Sequence, residues 1–283
     1  MTGTGTGRLF LRHLGVTVRN RTAVLIAGLT PVMLLVCWFA FLRDGLVDAA
    51  GTTGTTNSAP AAAAITAWVF ATVAVLTGFS STFAVLLAYA DDRADGRFCL
   101  WAAAGAKGWQ VGGTFLAAAA TVAFALSLVV IALGQVWAAV RGEPTMSAID
   151  WLLALIGSLL AAVFFAGLNG LAVALTRTRG GLAGWALLGG LGTTFLTTSL
   201  ALVRPTVVYE VLGALPFFQA SSLVRAPILE GCGVHSLTYP LGAEIRAGGT
   251  WPLGLVAVAL LAWTAVAWAL SLWRMGRTLR DPA

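Results

Sequence analysis

Apolar residues dominate this chain in six long runs that contain no Asp, Glu, Lys or Arg. A helix rises about 1.5 Å per residue, so a run of about 20 apolar residues crosses the hydrocarbon core of a bilayer, which is about 30 Å thick. Each run is long enough to cross, and the core of a water-soluble domain does not need runs of this length. The pattern predicts an all-α membrane protein with six transmembrane helices, at 22–42, 61–90, 108–140, 151–176, 180–203 and 247–273.

Composition agrees with one transmembrane domain that covers residues 1–283. The chain is 59% hydrophobic and only 10% charged. The longest stretch between two predicted spans, 204–246, is too short for an ordinary soluble domain. A separate catalytic domain is therefore not expected within this sequence.

The charged residues are sorted between the two sides of the predicted spans. One side holds twelve basic and four acidic side chains, and the other holds five basic and seven acidic ones. Short loops rich in Lys and Arg stay in the cytoplasm, so both termini are predicted to be cytoplasmic. The net charge of +6 then reflects topology and contact with anionic lipid. It does not indicate nucleic acid as a partner, because no folded basic surface with reading elements is evident.

A short amphipathic segment, 8–20, precedes the first predicted span. At 100° per residue, Arg8, Arg12 and Arg19 fall within about 40° of one another, and apolar side chains such as Leu14 cover the rest of the surface. This predicts a helix in the membrane interface with its arginines towards the lipid headgroups. A simple positive flank of the first span is the alternative.

Two other segments outside the predicted spans carry most of the remaining polar chemistry. The segment 91–109 follows the second span and mixes acidic, basic, bulky aromatic and glycine residues. The segment 204–246 is too polar to span a membrane and too apolar to lie free in water, and its prolines divide it into short pieces. Broken backbone at membrane depth must be covered by protein or line a cavity. We therefore expect two short re-entrant helices in the outer leaflet.

Three features of the sequence occur in the order and spacing of a known family. The first is the basic segment that leads into a first span containing Pro31. The second is the run DRADGR at 92–97, and the third is LPFF at 215–218 with Arg225 and Glu230 after it. Together they resemble the type-2 ABC permease family, the six-helix membrane subunits of type V ABC exporters. The likeness is closest to bacterial drug-resistance exporters of the daunorubicin-permease kind, and it covers essentially the whole chain.

The resemblance departs from the family pattern at two positions. Gly105 stands near a place where the family commonly has a proline, and position 92 is Asp where Glu is usual. Both positions belong to the segment 91–109, which the resemblance identifies as the cytoplasmic coupling helix between the second and third spans. The departures concern the local geometry of that helix.

The resemblance implies a multi-pass permease subunit in the bacterial plasma membrane. Such a subunit moves a hydrophobic or amphipathic substrate, for example a drug, antibiotic, lipid or lipopeptide, out of the cell. The implied partners are two copies of a separate cytoplasmic ABC ATPase, which bind ATP and Mg²⁺, a second permease copy or a sister permease, and the lipid bilayer. The chain itself is not expected to be an enzyme, because its one lysine, Lys107, lacks the glycine-rich lead and the following Ser or Thr of a Walker A loop.

The candidate site residues form three further groups beside the interfacial arginines. Coupling to the ATPase is expected at Asp91, Asp92, Asp95, Gly96, Arg97, Phe98, Trp101 and Lys107. An external gate is expected at Pro205, Glu210, Pro216, Phe217, Phe218, Arg225 and Glu230. Hydroxyl groups that line a pathway are expected at Thr77, Ser80, Ser81, Thr193 and Thr197. Hydrogen bonding between helices is the alternative role of these hydroxyls.

Other classes of protein fit the sequence less well. The run Gly78-Phe79-Ser80-Ser81 resembles a nucleophile motif, but His13 and His235 both lie outside the predicted spans, so neither can serve Ser80 as a base. Two distant histidines and three separated cysteines form no metal-ligand cluster, and no metal is expected. An ion-coupled carrier normally uses charge within the membrane or an internal repeat. Such a carrier, or a membrane immunity protein that transports nothing, is the remaining alternative.

Overall fold

The computed structural model describes residues 4–38, 58–176, 178–198, 213–231, 233, 236–238, 244–246 and 251–278. Within these residues the protein is all-α apart from one pair of three-residue strands. The helices are α1 (Thr4–Arg19), α2 (Arg21–Cys37), α3 (Ser58–Ala94), α4 (Arg97–Ala103), α5 (Gly108–Arg141), α6 (Ala148–Leu175), α7 (Arg179–Thr198), α8 (Pro216–Gly231) and α9 (Leu253–Thr278). The strands are β1 (Ser236–Thr238) and β2 (Glu244–Arg246), which pair antiparallel with Leu237 opposite Ile245.

Four of the described helices are long and apolar enough to cross a membrane, and they indicate a membrane protein. These stretches are Ile65–Ala94, Gly108–Arg141, Ala148–Leu175 and Leu253–Arg277. The predicted first and fifth spans coincide with α2 and α7. Parts of both spans, 39–42 and 199–203, lie outside the described residues, so their crossing of the membrane stays a prediction.

The observed helices extend or shift some of the predicted bounds. The second predicted span ends at 90, whereas α3 continues to Ala94, because polar residues can extend a helix beyond its apolar part. The last predicted span begins at 247, whereas α9 begins at Leu253. Pro252 explains this start, since a proline suits the beginning of a helix and disfavours helical backbone at the residue before it.

Helix α3 is the centre of the bundle. Its apolar window is 94% buried inside the protein, whereas the corresponding window of α9 is only 22% buried. Helices α2, α5, α6 and α8 all pack against α3. Small residues such as Ala71 and Ala84, which are fully buried, let the neighbouring helices approach closely. Aliphatic side chains on the outer surfaces of α2, α5, α6, α7 and α9 remain exposed.

The structure describes one helix of the segment between α7 and α9. This helix, α8, runs from Pro216 to Gly231. Residues 204–212 lie outside the described part of the chain, so the two short re-entrant helices stay a prediction. Pro227 is inside α8 and cannot donate a hydrogen bond to the carbonyl of Leu223. That carbonyl instead lies against Gly157 of α6, where a Cβ atom would overlap it. The carbonyl that Pro227 leaves unbonded and the missing side chain of Gly157 thus let α8 pack tightly on α6.

Candidate functional site

An aromatic cluster joins four helices where α3 ends and α5 begins. It consists of His13 on α1, Tyr89 on α3, Phe98 and Trp101 on α4, and Phe115 on α5. His13 stacks on Phe115 with 3.6 Å between ring centroids, and it meets Trp101 edge-on at 5.5 Å. Tyr89 lies 4.8 Å from Phe98 and 5.4 Å from Phe115. Side chains far apart in sequence therefore fix α1, α3, α4 and α5 relative to one another.

Two glycine turns position α4 within this cluster. Gly96 has φ of 69° and Gly105 has φ of 75°, in the left-handed region that glycine adopts without steric cost. Gly96 follows the end of α3, and Gly105 follows α4 before α5 begins at Gly108. The chain can therefore reverse twice within a few residues, and the seven-residue α4 lies between two long helices.

Ion pairs hold the first of these turns. Arg97 donates to the Asp92 carboxylate at 2.7 Å and contacts Asp95 at 3.1 Å. The Asp92 side chain is nearly buried, whereas Arg97 and Asp95 are about half exposed. The contact with Asp92 is the shorter of the two, and burial of Asp92 reduces solvent screening of this pair. Asp91 and Lys107 are exposed at the same end of the bundle.

Helix α1 docks on the cluster through one face and exposes its arginines. His13 and Thr17 are buried, and the guanidinium of Arg12 lies 4.9 Å from the centre of the Trp101 ring. Burial and the neighbouring Arg12 charge lower the pKa of His13 from 6.5 to about 4, so His13 is neutral at pH 7. Arg8, Arg12 and Arg19 are all exposed.

The bounds of α1 differ from the sequence prediction, because the helix spans Thr4–Arg19 and not 8–20. Val18 is 71% exposed and shares a helix face with Leu11, which is 66% exposed. An exposed strip of Leu11 and Val18 next to the arginines is typical of a helix that lies in a membrane interface.

The two aromatic side chains of α4 that were expected to couple point into the bundle. Phe98 is 3% exposed and Trp101 is partly buried, so both serve the internal cluster. Leu100 between them is 69% exposed, and Trp109 at the start of α5 is 58% exposed. Sequence reasoning missed Leu100, His13, Tyr89 and Phe115. The i, i+3 spacing of the two aromatic residues on α4 was an available signal, because it places both on one face and leaves Leu100 on another.

Helix α8 extends deep into the opposite half of the bundle. Gly231 at its C-terminal end lies against Asp150, in the first turn of α6. Phe217 at its N-terminal end lies 6.0 Å from Phe164 and 6.3 Å from Phe79, measured between ring centroids. Phe164 follows Asp150 by fourteen positions, which is about 21 Å along a helix. Helix α8 therefore reaches from one end of the bundle to about its middle.

The residues expected in an external gate have several environments on α8. Phe218 and Arg225 are buried, with 5.8 Å between the guanidinium carbon and the ring centroid, whereas Glu230 is exposed. Pro216 and Phe217 are partly exposed. Pro205 and Glu210 lie outside the described residues. The apolar runs of the sequence contain no ionisable side chain, yet α8 carries Arg225 into the interior of the bundle.

Three of the five hydroxyl groups expected along a pathway are turned towards their own helices. Thr77 donates to the carbonyl of Val73, Ser80 to that of Thr77, and Thr193 to that of Gly189. Ser81 is fully buried, and the side chain of Thr197 lies outside the described residues. Their role as pathway-lining groups stays a prediction.

Asn169 forms the main polar junction between helices α3, α6 and α7. Its Nδ2 donates to the carbonyl of Phe79 at 3.0 Å and to Thr82 Oγ1 at 2.7 Å. Its Oδ1 accepts from Trp185 Nε1 at 2.9 Å. Asn169 is fully buried, so it links helices in the way expected of amides in membrane bundles.

No family model matches this chain, and no curated protein matches it. Within the described residues, no group of three or more His, Cys, Asp or Glu side chains is arranged to hold a metal ion.

Proposed function

We propose that this chain is the permease subunit of an ATP-driven ABC exporter in a bacterial plasma membrane. In this proposal all six apolar stretches cross the membrane, both termini are cytoplasmic, and a separate ATPase binds at the end that carries α1 and α4. Two ATPase copies supply ATP and Mg²⁺ chemistry. A second permease copy, or a sister permease, completes the pathway with two-fold symmetry. The cargo is hydrophobic or amphipathic, such as a drug, antibiotic, lipid or lipopeptide.

The observation that carries the proposal is the aromatic cluster with Leu100 outside it. A force applied to α4 passes directly to α1 through Trp101 and His13, and to α3 and α5 through Phe98 and Phe115. A short helix with a rigid internal face and one exposed apolar residue is suited to enter a groove on a partner. The mixed charges of Asp91, Asp95 and Lys107 around it favour one orientation of that partner.

Helix α8 supports the same proposal at the other end. It is buried on all sides over Phe218–Leu229, yet it carries Gln219, Ser222 and Arg225 within that stretch. Such polar residues are costly against lipid and are suited to a segment that moves within protein or borders a hydrated path. We assign α8 as a re-entrant outer gate, which opens when the ATPases close and the two permease halves rock apart.

A second candidate, an ion-coupled carrier, is favoured by one specific observation. Arg225 is an ionisable side chain buried in the bundle, and carriers use charges of this kind to bind ions or substrates. The two candidates differ in their need for a partner. A carrier works alone and depends on Arg225, whereas an exporter subunit depends on α4 and a separate ATPase.

Affinity purification from native membranes tests the proposal. We expect an ATPase with a Walker A motif to co-purify with the wild-type chain and to hydrolyse ATP. The Leu100→Asp variant should lose this ATPase, because it places a charge on the exposed contact and leaves the internal cluster intact. Val140→Asp is the matched control, since Val140 is 79% exposed at the opposite end of the bundle and should keep the ATPase. Purification of the wild-type chain alone, from cells that produce every candidate ATPase, would contradict the proposal.

A further inference from the structure

The last turns of α9 carry a group of one tryptophan and two arginines, Trp273, Arg274 and Arg277, here called the α9 patch. Trp273 and Arg277 are exposed, and Arg274 is partly buried. The guanidinium carbon of Arg277 is 4.1 Å from the centroid of a Trp273 ring, and that of Arg274 is 5.6 Å away. Trp273 is 51% exposed. The two preceding turns of α9 expose apolar side chains on the same face, Val266 and Leu270. The patch therefore lies where an apolar, lipid-facing surface becomes polar, which is the depth of the phospholipid headgroups.

Both arginines of the α9 patch have hydrogen-bond donors left for a ligand. Neither one pairs with a carboxylate in the described part of the chain, where Asp92 and Asp95 are already bound to Arg97. A guanidinium that lies over an indole uses its face for that contact, and its N–H edges stay free to bind oxygen. Two adjacent forks of donors match the geometry of a phosphate group.

The start of α5 adds to the positive potential at the same depth. A Cβ atom at Gly108 would overlap the backbone of Gly276, so the two helices touch at these glycines. Lys107 and Trp109 flank Gly108, and both are exposed. The first turn of α5 contains no acidic residue that would offset the charge of Lys107 or the positive end of the helix.

We propose that the α9 patch is a binding site for the phosphate of an anionic phospholipid, of the phosphatidylglycerol class. The two guanidinium groups bind the phosphate oxygens, and the Trp273 ring packs at the border with the acyl chains. The bound lipid would fix the end of α9 against α5, near the turn that leads from α4. This inference needs only a membrane protein, so it can fail while the exporter proposal stands.

Fluorescence quenching in lipid nanodiscs tests the site. The probes are phosphatidylglycerol and phosphatidylcholine with brominated acyl chains, and the contribution of Trp273 is obtained by subtracting the signal of the Trp273→Phe variant. Since each basic side chain near an anionic surface strengthens lipid binding by about fivefold, we expect half-quenching at a roughly tenfold or more lower fraction of brominated phosphatidylglycerol. The Arg274→Gln/Arg277→Gln double variant should lose this preference.

Two controls establish whether the preference arises at the α9 patch and whether it is for lipid. Arg141 lies 5.6 Å from the Trp137 ring at the other end of the bundle, so Arg141→Gln removes the same kind of pair and should leave the preference of Trp273 unchanged. Equal quenching of the wild-type protein by both lipids, or an unchanged preference in the double variant, would overturn the proposal. Loss of the preference when about 10 mM inorganic phosphate is added at constant ionic strength would also overturn it, because the site would then bind free phosphate.

Discussion

The interior position of His13 predicts that mild acid loosens helix α1. His13 is 1% exposed and stacked on Phe115, and its Nε2 has no hydrogen-bond partner among the described residues. Its pKa is about 4 when α1 is docked and has the ordinary value of 6.5 when α1 is free. The undocked state therefore binds more protons between these two pH values. The docking free energy is fully present above pH 6.5 and falls as the pH drops towards 4.

The size of the effect follows from the two pKa values of His13. At pH 5 nearly all undocked His13 is protonated, whereas about nine tenths of docked His13 is neutral, so acidification from pH 7.5 weakens docking by about 2 kcal/mol. That free energy corresponds to a roughly 30-fold increase in the population of undocked α1. Below pH 4 the loss approaches a limit of about 3 kcal/mol, because His13 is then protonated in both states.

Hydrogen exchange of the α1 amides, followed by mass spectrometry in detergent, measures this change. After correction for the intrinsic pH dependence of exchange, protection of α1 in the wild-type protein should fall by about 30-fold between pH 7.5 and pH 5. The His13→Leu variant keeps an apolar side chain against Phe115 and has no proton to bind, so its α1 protection should stay nearly constant. Equal pH dependence in the two proteins would refute the assignment of the effect to His13.

Three further predictions concern packing and polar contacts inside the protein. Gly157→Ala should destabilise the protein by about 2 kcal/mol or more in detergent unfolding, because the added Cβ meets the Leu223 carbonyl. The control Gly28→Ala, with open space around it, should be neutral or slightly stabilising. Equal effects of the two substitutions would contradict the close packing of α8 on α6. Asn169→Leu removes three interhelical hydrogen bonds and should lower the free energy of unfolding by about 2–4 kcal/mol. Trp185→Phe removes one of them and should lower it by about 1 kcal/mol. Wild-type stability of the Asn169→Leu protein would show that this junction does not stabilise the bundle. Arg97→Gln should raise the rate of hydrogen exchange of the α4 amides several-fold, because it releases Asp92 from its ion pair. The Asp92→Asn/Arg97→Gln double variant should exchange no faster than Arg97→Gln alone. Faster exchange in the double variant would show that the two side chains are not coupled.

The apolar runs predict most of the helices, because a helix that crosses lipid must consist mainly of apolar residues over about 20 positions. Long uncharged runs predict α3, α5, α6 and α9, and their observed positions agree with the runs to within a few residues at most ends. Gly96 and Gly105 mark two turns whose left-handed backbone conformation favours glycine. These features depend on neighbouring residues along the chain, and the sequence displays them directly.

The sequence does not display features that depend on contacts between distant residues. The inward direction of Phe98 and Trp101 is decided by His13 and Phe115, which come from other helices. The burial of α8 depends on Gly157 of α6 facing the carbonyl that Pro227 leaves unbonded. Pro227 is typical of a helix break, but packing on α6 stabilises a helix that continues through it from Pro216 to Gly231. Arg225 was expected on the external side of the membrane, because it does not lie within an apolar run. Its burial also depends on contacts between helices, which the sequence does not display.

The most direct test of the central claim is a photocrosslink from residue 100. A photoreactive amino acid placed at Leu100 in native membranes, where the side chain is exposed and free of the internal cluster, should crosslink mainly to an ATPase with a Walker A motif. The same amino acid at Val140 should crosslink to no ATPase. Crosslinks from residue 100 to lipid alone, in cells that produce the candidate ATPases, would contradict the account of α4 as the coupling helix.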